Sequence, residues 1–269
     1  MTDVVYILGD GAAEIGDRPL RWSLRSLAKY ATNVGRVVVC GRIPAWLSDE
    51  VTKVPTDVTT ARPKGKGWNI LYGHKAAIEG AGLTDPYLFS ADDHYLTRAA
   101  DLDQWPRYFN ANAWGGELLT YGQFTRKFKR MCSQYELCLV KTGDVLRENG
   151  MSTRRAQTHL NTWCDPEDVM DAVALAEANA HRTVFGFETL CLVNGCFEER
   201  AAELGVSMAY TPYAKDGKAR NAADCEAKAN DPDVPGFTTT PAAEKDIEVI
   251  EWMEAAFPTP CKWEKEVQA

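Results

Sequence analysis

The sequence predicts an α/β fold: a Rossmann-like, mostly parallel central sheet flanked by helices, with a mixed elaboration in its second half. Three observations predict it. Short apolar, β-branched runs without polar alternation recur up to Asp93, as strands buried on both faces do. Helical spacing separates several of them, which implies βαβ units with right-handed crossovers. Turn and acidic residues follow two of the runs, at the carboxyl edge where open sheets bind ligands.

Val4 to Leu8 is the first run, closed by the turn signal Gly9-Asp10-Gly11. From Pro19 the pattern becomes helical, with Leu20, Leu24, Leu27 and Ala28 at three- and four-residue spacing. Arg36 to Cys40 is a second buried strand, Pro44 to Leu47 opens a short helix, and Val51 to Val54 is a third strand. Residues 55–67 are a polar loop, Trp68 to Gly80 a helix, and Pro86 to Ser90 a fourth strand running into Asp92-Asp93-His94. Beyond it, Glu117 to Tyr121 reads as a strand. Asp165 to Ala180 reads as a helix capped by Asp165, with Pro166 in its first turn. Residues 183–194 are apolar and buried, 214–241 is a polar loop or lid, and Thr240-Pro241 starts a closing helix carrying Ile247, Ile250 and Met253. These elements divide one domain into a Rossmann-like half, residues 1–115, and a mixed second half, residues 116–269.

Thirty basic against 38 acidic side chains give a formal charge of −8, which argues against a protein held on nucleic acid chiefly by phosphate neutralisation. The opening residues lack the pattern of a secretory signal, and no apolar run approaches the ~18 residues of a membrane span. Eight cysteines without an export signal or any CxxC pair read as reduced thiols in a cytoplasmic protein.

The chemistry is expected around Asp92, Asp93 and His94. In extended backbone Asp92 and His94 point one way and Asp93 the other, and a local turn brings Asp93 in as well. Carboxylate oxygens suit Mg²⁺ or Mn²⁺, and an added imidazole tilts the choice towards Mn²⁺. His159, after Arg154-Arg155, is a candidate further ligand, whereas His74 and His181 sit in helical patterns as structural residues. Lys64 and Lys66, alternating with glycines before a helix, suit phosphate without forming a Walker loop. Catalytic carboxylates are expected among Asp93, Glu117 and Glu188, with Asp10 a further candidate base. Arg126, Lys127, Lys129 and Arg130, interleaved with Phe124 and Phe128, form a patch able to hold a polyanion.

Arg21 to Tyr30, Arg36 to Val39, Ile43 to Leu47 and Tyr87 to Asp93 come in the order of the first blocks of the Stealth-type capsular polysaccharide phosphotransferases, which residues 3–95 resemble. The chain also resembles phage enzymes of GT-A fold, including the glycosyltransferases associated with base-J and TET-type oxygenases. Thr158-His159-Leu160, Phe257-Pro258 and Lys262-Trp263-Glu264 fit that group better. The resemblance implies a GT-A fold, a UDP-sugar or similar nucleoside-diphosphate-sugar donor and a divalent metal. It assigns metal or diphosphate binding to Asp92, Asp93, His94 and His159, and donor contacts to Gly9, Asp10, Gly11 and Arg21. The acceptor it implies is a hydroxymethyl pyrimidine in DNA. His94 stands where the Stealth pattern is apolar, and that family's larger later blocks are missing, which favours glycosyl transfer over sugar-phosphate transfer. A saccharide acceptor and a non-catalytic nucleotide-binding scaffold are the alternatives.

Overall fold

In the computed structural model the described residues are 1–10, 15–56, 65–111, 114, 116–156, 160–183, 186–206, 209–213 and 217–265. The first half runs β1 (Thr2–Leu8), α1 (Arg18–Tyr30), β2 (Ala31–Thr32), β3 (Val34–Gly41), β4 (Val51–Pro55), α2 (Lys66–Ala81), β5 (Tyr87–Ser90), β6 (His94–Leu96), β7 (Ala100–Asp101) and β8 (Tyr108–Asn110). There follow α3 (Tyr121–Phe128), α4 (Gln134–Glu148), β9 (Thr162–Cys164), α5 (Pro166–Ala178) and α6 (Thr189–Glu203). The chain continues with β10 (Thr211–Tyr213), β11 (Lys218–Ala219), α7 (Ala222–Asn230), β12 (Gly236–Thr239) and α8 (Ile247–Ala256).

The central sheet has the order β4-β3-β1-β5-β9, parallel throughout except for β9, which runs antiparallel to β5. Strands buried on both faces divide their side chains between two core layers. Val5, Val38, Tyr87 and Phe89 pack with α2, α4, α5 and α6, whereas Val4, Tyr6, Leu8, Val37 and Leu88 pack with Leu20, Leu24 and Leu27 of α1. Each fully buried apolar side chain of this kind contributes about 1.5–3 kcal/mol relative to exposure. Trp22, on another face of α1, belongs to a third cluster with Tyr95, Phe237, Val249 and Met253. That cluster lies on a small sheet, β11-β12-β6, through which the second half of the chain reaches the end of β5.

Four expectations are corrected. Pro44 to Leu47 is a turn rather than a helix, because Leu47 pairs with Glu264 and Ser48 N–H donates to the Trp263 carbonyl. Glu117 to Tyr121 is not a strand: Glu117 makes a single bridge to Arg154, and Thr120 forms the capping box of α3. The polar stretch 214–241 is no lid among its described residues. Ala219, Cys225, Val234 and Phe237 are buried, β12 is buried along its whole length, and the exposed polar residues lie chiefly on α7 and the turns around it. The closing helix starts at Ile247 under an Asp246 cap, and it buries Val249 and Met253 while Ile247 is 63% exposed. The Asp165 cap of α5 is as expected, and His74 is a buried structural residue whose Nδ1 meets the Tyr87 hydroxyl at 2.8 Å.

Among the described residues no helix is long and apolar enough to cross a membrane.

Candidate active site at the carboxyl edge of the sheet

β1 and β5 are parallel neighbours, with Ser90 level with Tyr6 and β1 two residues longer, so the residues after Leu8 and after Ser90 emerge at one edge. Beyond β5 the backbone turns tightly, with the His94 N–H donating to the Ala91 carbonyl at 3.1 Å. Asp92 and Asp93 occupy the two corners of this turn. The alternation expected for extended backbone is therefore absent, and the two carboxylates lie close enough to repel. Both are half-buried, and burial raises both acids. The charge of Asp93 adds to the effect on Asp92, while the Lys66 ammonium opposes it on both.

Lys66 is the first residue of α2, so its ammonium and the positive end of the helix dipole come to the same edge. Gly67 permits this placement. A Cβ there would lie 2.2 Å from the Phe187 carbonyl oxygen, so the start of α2 docks backbone to backbone on the segment leading into α6. The small sheet supplies the opposite wall. Antiparallel pairing of Phe237 with Tyr95 and of Thr238 with His94 brings the end of β12 alongside the acid turn. The Thr239 hydroxyl donates to Glu244 Oε1 at 3.0 Å and meets the Tyr95 hydroxyl at 3.1 Å. Burial first, then Asp93, raises Glu244 to about 7. Lys218, paired with Thr238 through β11, bears electrostatically on Asp93.

The structure brings Asp92, Asp93 and Lys66 together and turns His94 away from them. The His94 Nδ1 accepts the Ala91 N–H at 3.3 Å, the ring also bonds to the Asn161 side chain, and burial pushes its pKa down to about 3. An imidazole so engaged is a support for the turn rather than a third ligand. Among the described residues no group of three or more His, Cys, Asp or Glu side chains is disposed to hold an ion. Gly9 and Asp10 lie exposed after β1. Gly11, Lys64 and His159 lie outside the described residues.

Arg21 is partly engaged elsewhere, donating to Glu264 at 2.8 Å and lying 4.0 Å from the centre of the Trp46 ring. Glu188 caps α6 by accepting the Cys191 N–H at 2.7 Å, and Glu117 accepts the Thr153 hydroxyl at 2.6 Å. Neither joins the acid pair in the interactions that define it.

Glu244, Thr239, Lys218 and Asp17 are members of this edge that the sequence reading missed. Asp17, whose charge bears on Asp92, sits at the start of α1 and looks like an ordinary cap. It makes no cap bond, because the Arg42 guanidinium takes its carboxylate in a bidentate contact. Glu244 and Lys218 carry no local signal, since only the β6–β12 pairing brings them in.

No protein-family model matches the chain, and no curated protein matches it either.

Proposed function

We propose that the chain moves a sugar from a nucleoside-diphosphate sugar, UDP-linked by preference, to an acceptor hydroxyl. One observation carries the reading: two carboxylates held on a turn, both raised by burial and Asp92 further by the charge of Asp93, face the lysine and positive helix end of α2. Such a pair is short of positive charge, and a diphosphate beside Lys66 is short of it too. A divalent cation satisfies both, and two carboxylates plus substrate phosphates are an ordinary environment for Mg²⁺ or Mn²⁺. Bound there, the ion supplies Lewis-acid stabilisation of the departing diphosphate.

The chain's own groups do the rest. Asp92 and Asp93 fix the position of the cation, and Lys66 with the first N–H groups of α2 holds the phosphates. Glu244, raised into the neutral range and oriented by Thr239, takes the proton of the attacking hydroxyl. For the acceptor, the reading favours a 5-hydroxymethyl pyrimidine in DNA, extruded from the stack. It is supported by the surface of α3 and the turn after it. Tyr121, Phe128 and Met131 are exposed there beside Arg126, Lys127 and Lys129, none of which has an acidic partner among the described residues.

The test is direct. The protein, UDP-glucose, Mn²⁺ and DNA containing 5-hydroxymethylcytosine are incubated together, and the digested nucleosides are read by mass spectrometry. A hexose adduct that disappears in Asp92→Asn and Asp93→Asn supports the reading. Release of nucleoside monophosphate redirects it to sugar-phosphate transfer. Failure of every common nucleotide sugar to bind or turn over with Mn²⁺ ends it.

A further inference from the structure

We infer that Glu264 is a positioning residue for the donor side of the site, acting through Arg21 and Trp46. The inference rests on the donor reading above.

The segment from Phe257 to Lys265 lies as a strap across α1 and along residues 45–48. Leu47 and Glu264 form an antiparallel bridge, the Ser48 N–H donates to the Trp263 carbonyl at 2.9 Å, and the Lys265 N–H donates to the Trp46 carbonyl at 2.8 Å. Trp263 is buried in the cluster of Leu20, Leu24 and Leu47. The Glu264 side chain, 2% exposed, accepts from Arg25 Nε at 2.7 Å, Arg25 Nη2 at 3.0 Å, Arg21 Nη1 at 2.8 Å and the Cys261 N–H at 3.2 Å.

Anchoring the strap does not need two arginines. Trp263, the backbone bonds and the paired contact from Arg25 already fix it. Arg21 is the additional partner, and its guanidinium extends outward over the half-exposed ring of Trp46 at 4.0 Å. From Trp46 the contacts continue to the sheet edge. The indole N–H donates to Asp17 Oδ2 at 3.4 Å, and the Arg42 guanidinium grips the same carboxylate. Arg42 Nε then donates to the Gly9 carbonyl at 3.4 Å, in the segment that follows β1. Asp17 is also within electrostatic reach of Asp92. A buried carboxylate more than two hundred residues away in sequence thus sets where the 42–48 segment and the Gly9 carbonyl sit relative to the acid pair. Its loss leaves Arg21 without a counter-charge and Trp46 without its lid, and small displacements at such distances weaken ligand positioning.

The experiment compares Glu264→Gln, Trp46→Phe and the double variant. Affinity for UDP with Mn²⁺ is measured by calorimetry, and hydrogen exchange at residues 42–48 is measured without nucleotide. Glu264→Gln is expected to weaken UDP about tenfold and to accelerate exchange at 42–48, with KM for the donor rising far more than kcat changes. The double variant is expected to be no weaker than the weaker single one, because both act along one path. An unchanged UDP affinity in Glu264→Gln, or losses that simply multiply in the double variant, overturns the inference.

Should Glu264→Gln fail to fold, Arg21→Gln decides, since it keeps the Arg25–Glu264 pair. Unaltered exchange at 42–48 in that variant overturns the inference equally. The exchange arm also separates the two readings. If the wild type binds no nucleoside diphosphate, the donor reading fails, while the exchange measurement still judges the positional role of Glu264.

Discussion

Asp93 concentrates the tension between folding and function. Its carboxyl is raised from an ordinary 3.8 to about 6, first by burial, so the folded chain binds a proton that the unfolded chain has released. The ionised form therefore costs stability, in full above about pH 6, and that cost shrinks between 6 and 4 and disappears below about 4. Asp93→Asn is expected to raise the melting temperature of the metal-free protein at pH 7.5, by about 1–2 kcal/mol of stability. The gain is expected to vanish by about pH 4. The comparison has to be a difference between variant and wild type. His74 and His94, both lowered to about 3 by burial, withdraw stability as pH falls below 6.5 and mask the effect in either protein alone. The same variant is expected to lose transferase activity by at least about a hundredfold, because a cation-dependent step loses half its protein ligands. A variant less stable than wild type at pH 7.5 would show that Asp93 is paired rather than strained. The acid pair itself was legible from its place after a buried strand. His94 was not, because a tight turn and a strand extension differ by a few dihedral angles that no spacing encodes. Only the turn sends the imidazole to Ala91 and Asn161.

At the scale of elements, α2 has two separable duties at its first turn. Gly67 lets the helix touch the Phe187 backbone, and Lys66 presents charge to the acid pair. Gly67→Ala is expected to destabilise the fold by about 2–3 kcal/mol in a denaturant titration. Its Cβ meets a carbonyl oxygen at 2.2 Å, which cannot rotate away as a side-chain tip would. Lys66→Ala is expected to lower the unfolding midpoint far less than Gly67→Ala, through the lost easing of the acid pair alone, while raising KM for the donor about tenfold, the worth of one charge-assisted phosphate contact. If Lys66→Ala lowers stability as much as Gly67→Ala does, the lysine is a structural charge and the phosphate assignment is withdrawn.

Elements of the first half were legible because each carries its own signal: apolar runs for β1, β3 and β5, and leucine spacing for α1. The segment from Lys218 to Thr239 was not. Its strands are short and its helix polar, so their order depends on pairing with β6 and on packing against Trp22 and Tyr95, contacts distant in sequence. Glu244 inherits that illegibility, since it reaches the site only by way of Thr239.

Across the whole molecule, the net charge of −8 opposes a polyanionic acceptor, so docking needs a local basic surface. The chain carries −8, yet Arg126, Lys127 and Lys129 lie together on α3 and the turn after it without acidic partners among the described residues. Arg130 differs, because Glu136 holds it in a paired contact at 2.8 and 2.6 Å. Long-range repulsion from the acidic remainder is screened within about 8–10 Å at ordinary salt, so a local patch is able to act independently of the net charge. If single-stranded DNA docks on this surface, its affinity is expected to fall with salt at a log–log slope of about −2, as three cations displacing counterions require. The triple variant Arg126→Ala, Lys127→Ala, Lys129→Ala is expected to reduce that slope to near zero. Turnover of a small hydroxymethylated nucleoside, which has no backbone to hold, is expected to stay unchanged. Fluorescence anisotropy of a labelled oligonucleotide across a salt series measures the slope. The exposed rings of Tyr121 and Phe128 stand one heptad apart on α3, about 10 Å along its axis, which suits contacts to unstacked bases rather than to a closed duplex. Accordingly, duplex DNA of the same length is expected to bind more weakly than the single strand. Equal binding of both forms, with the slope retained in the triple variant, would move the acceptor surface elsewhere on the molecule.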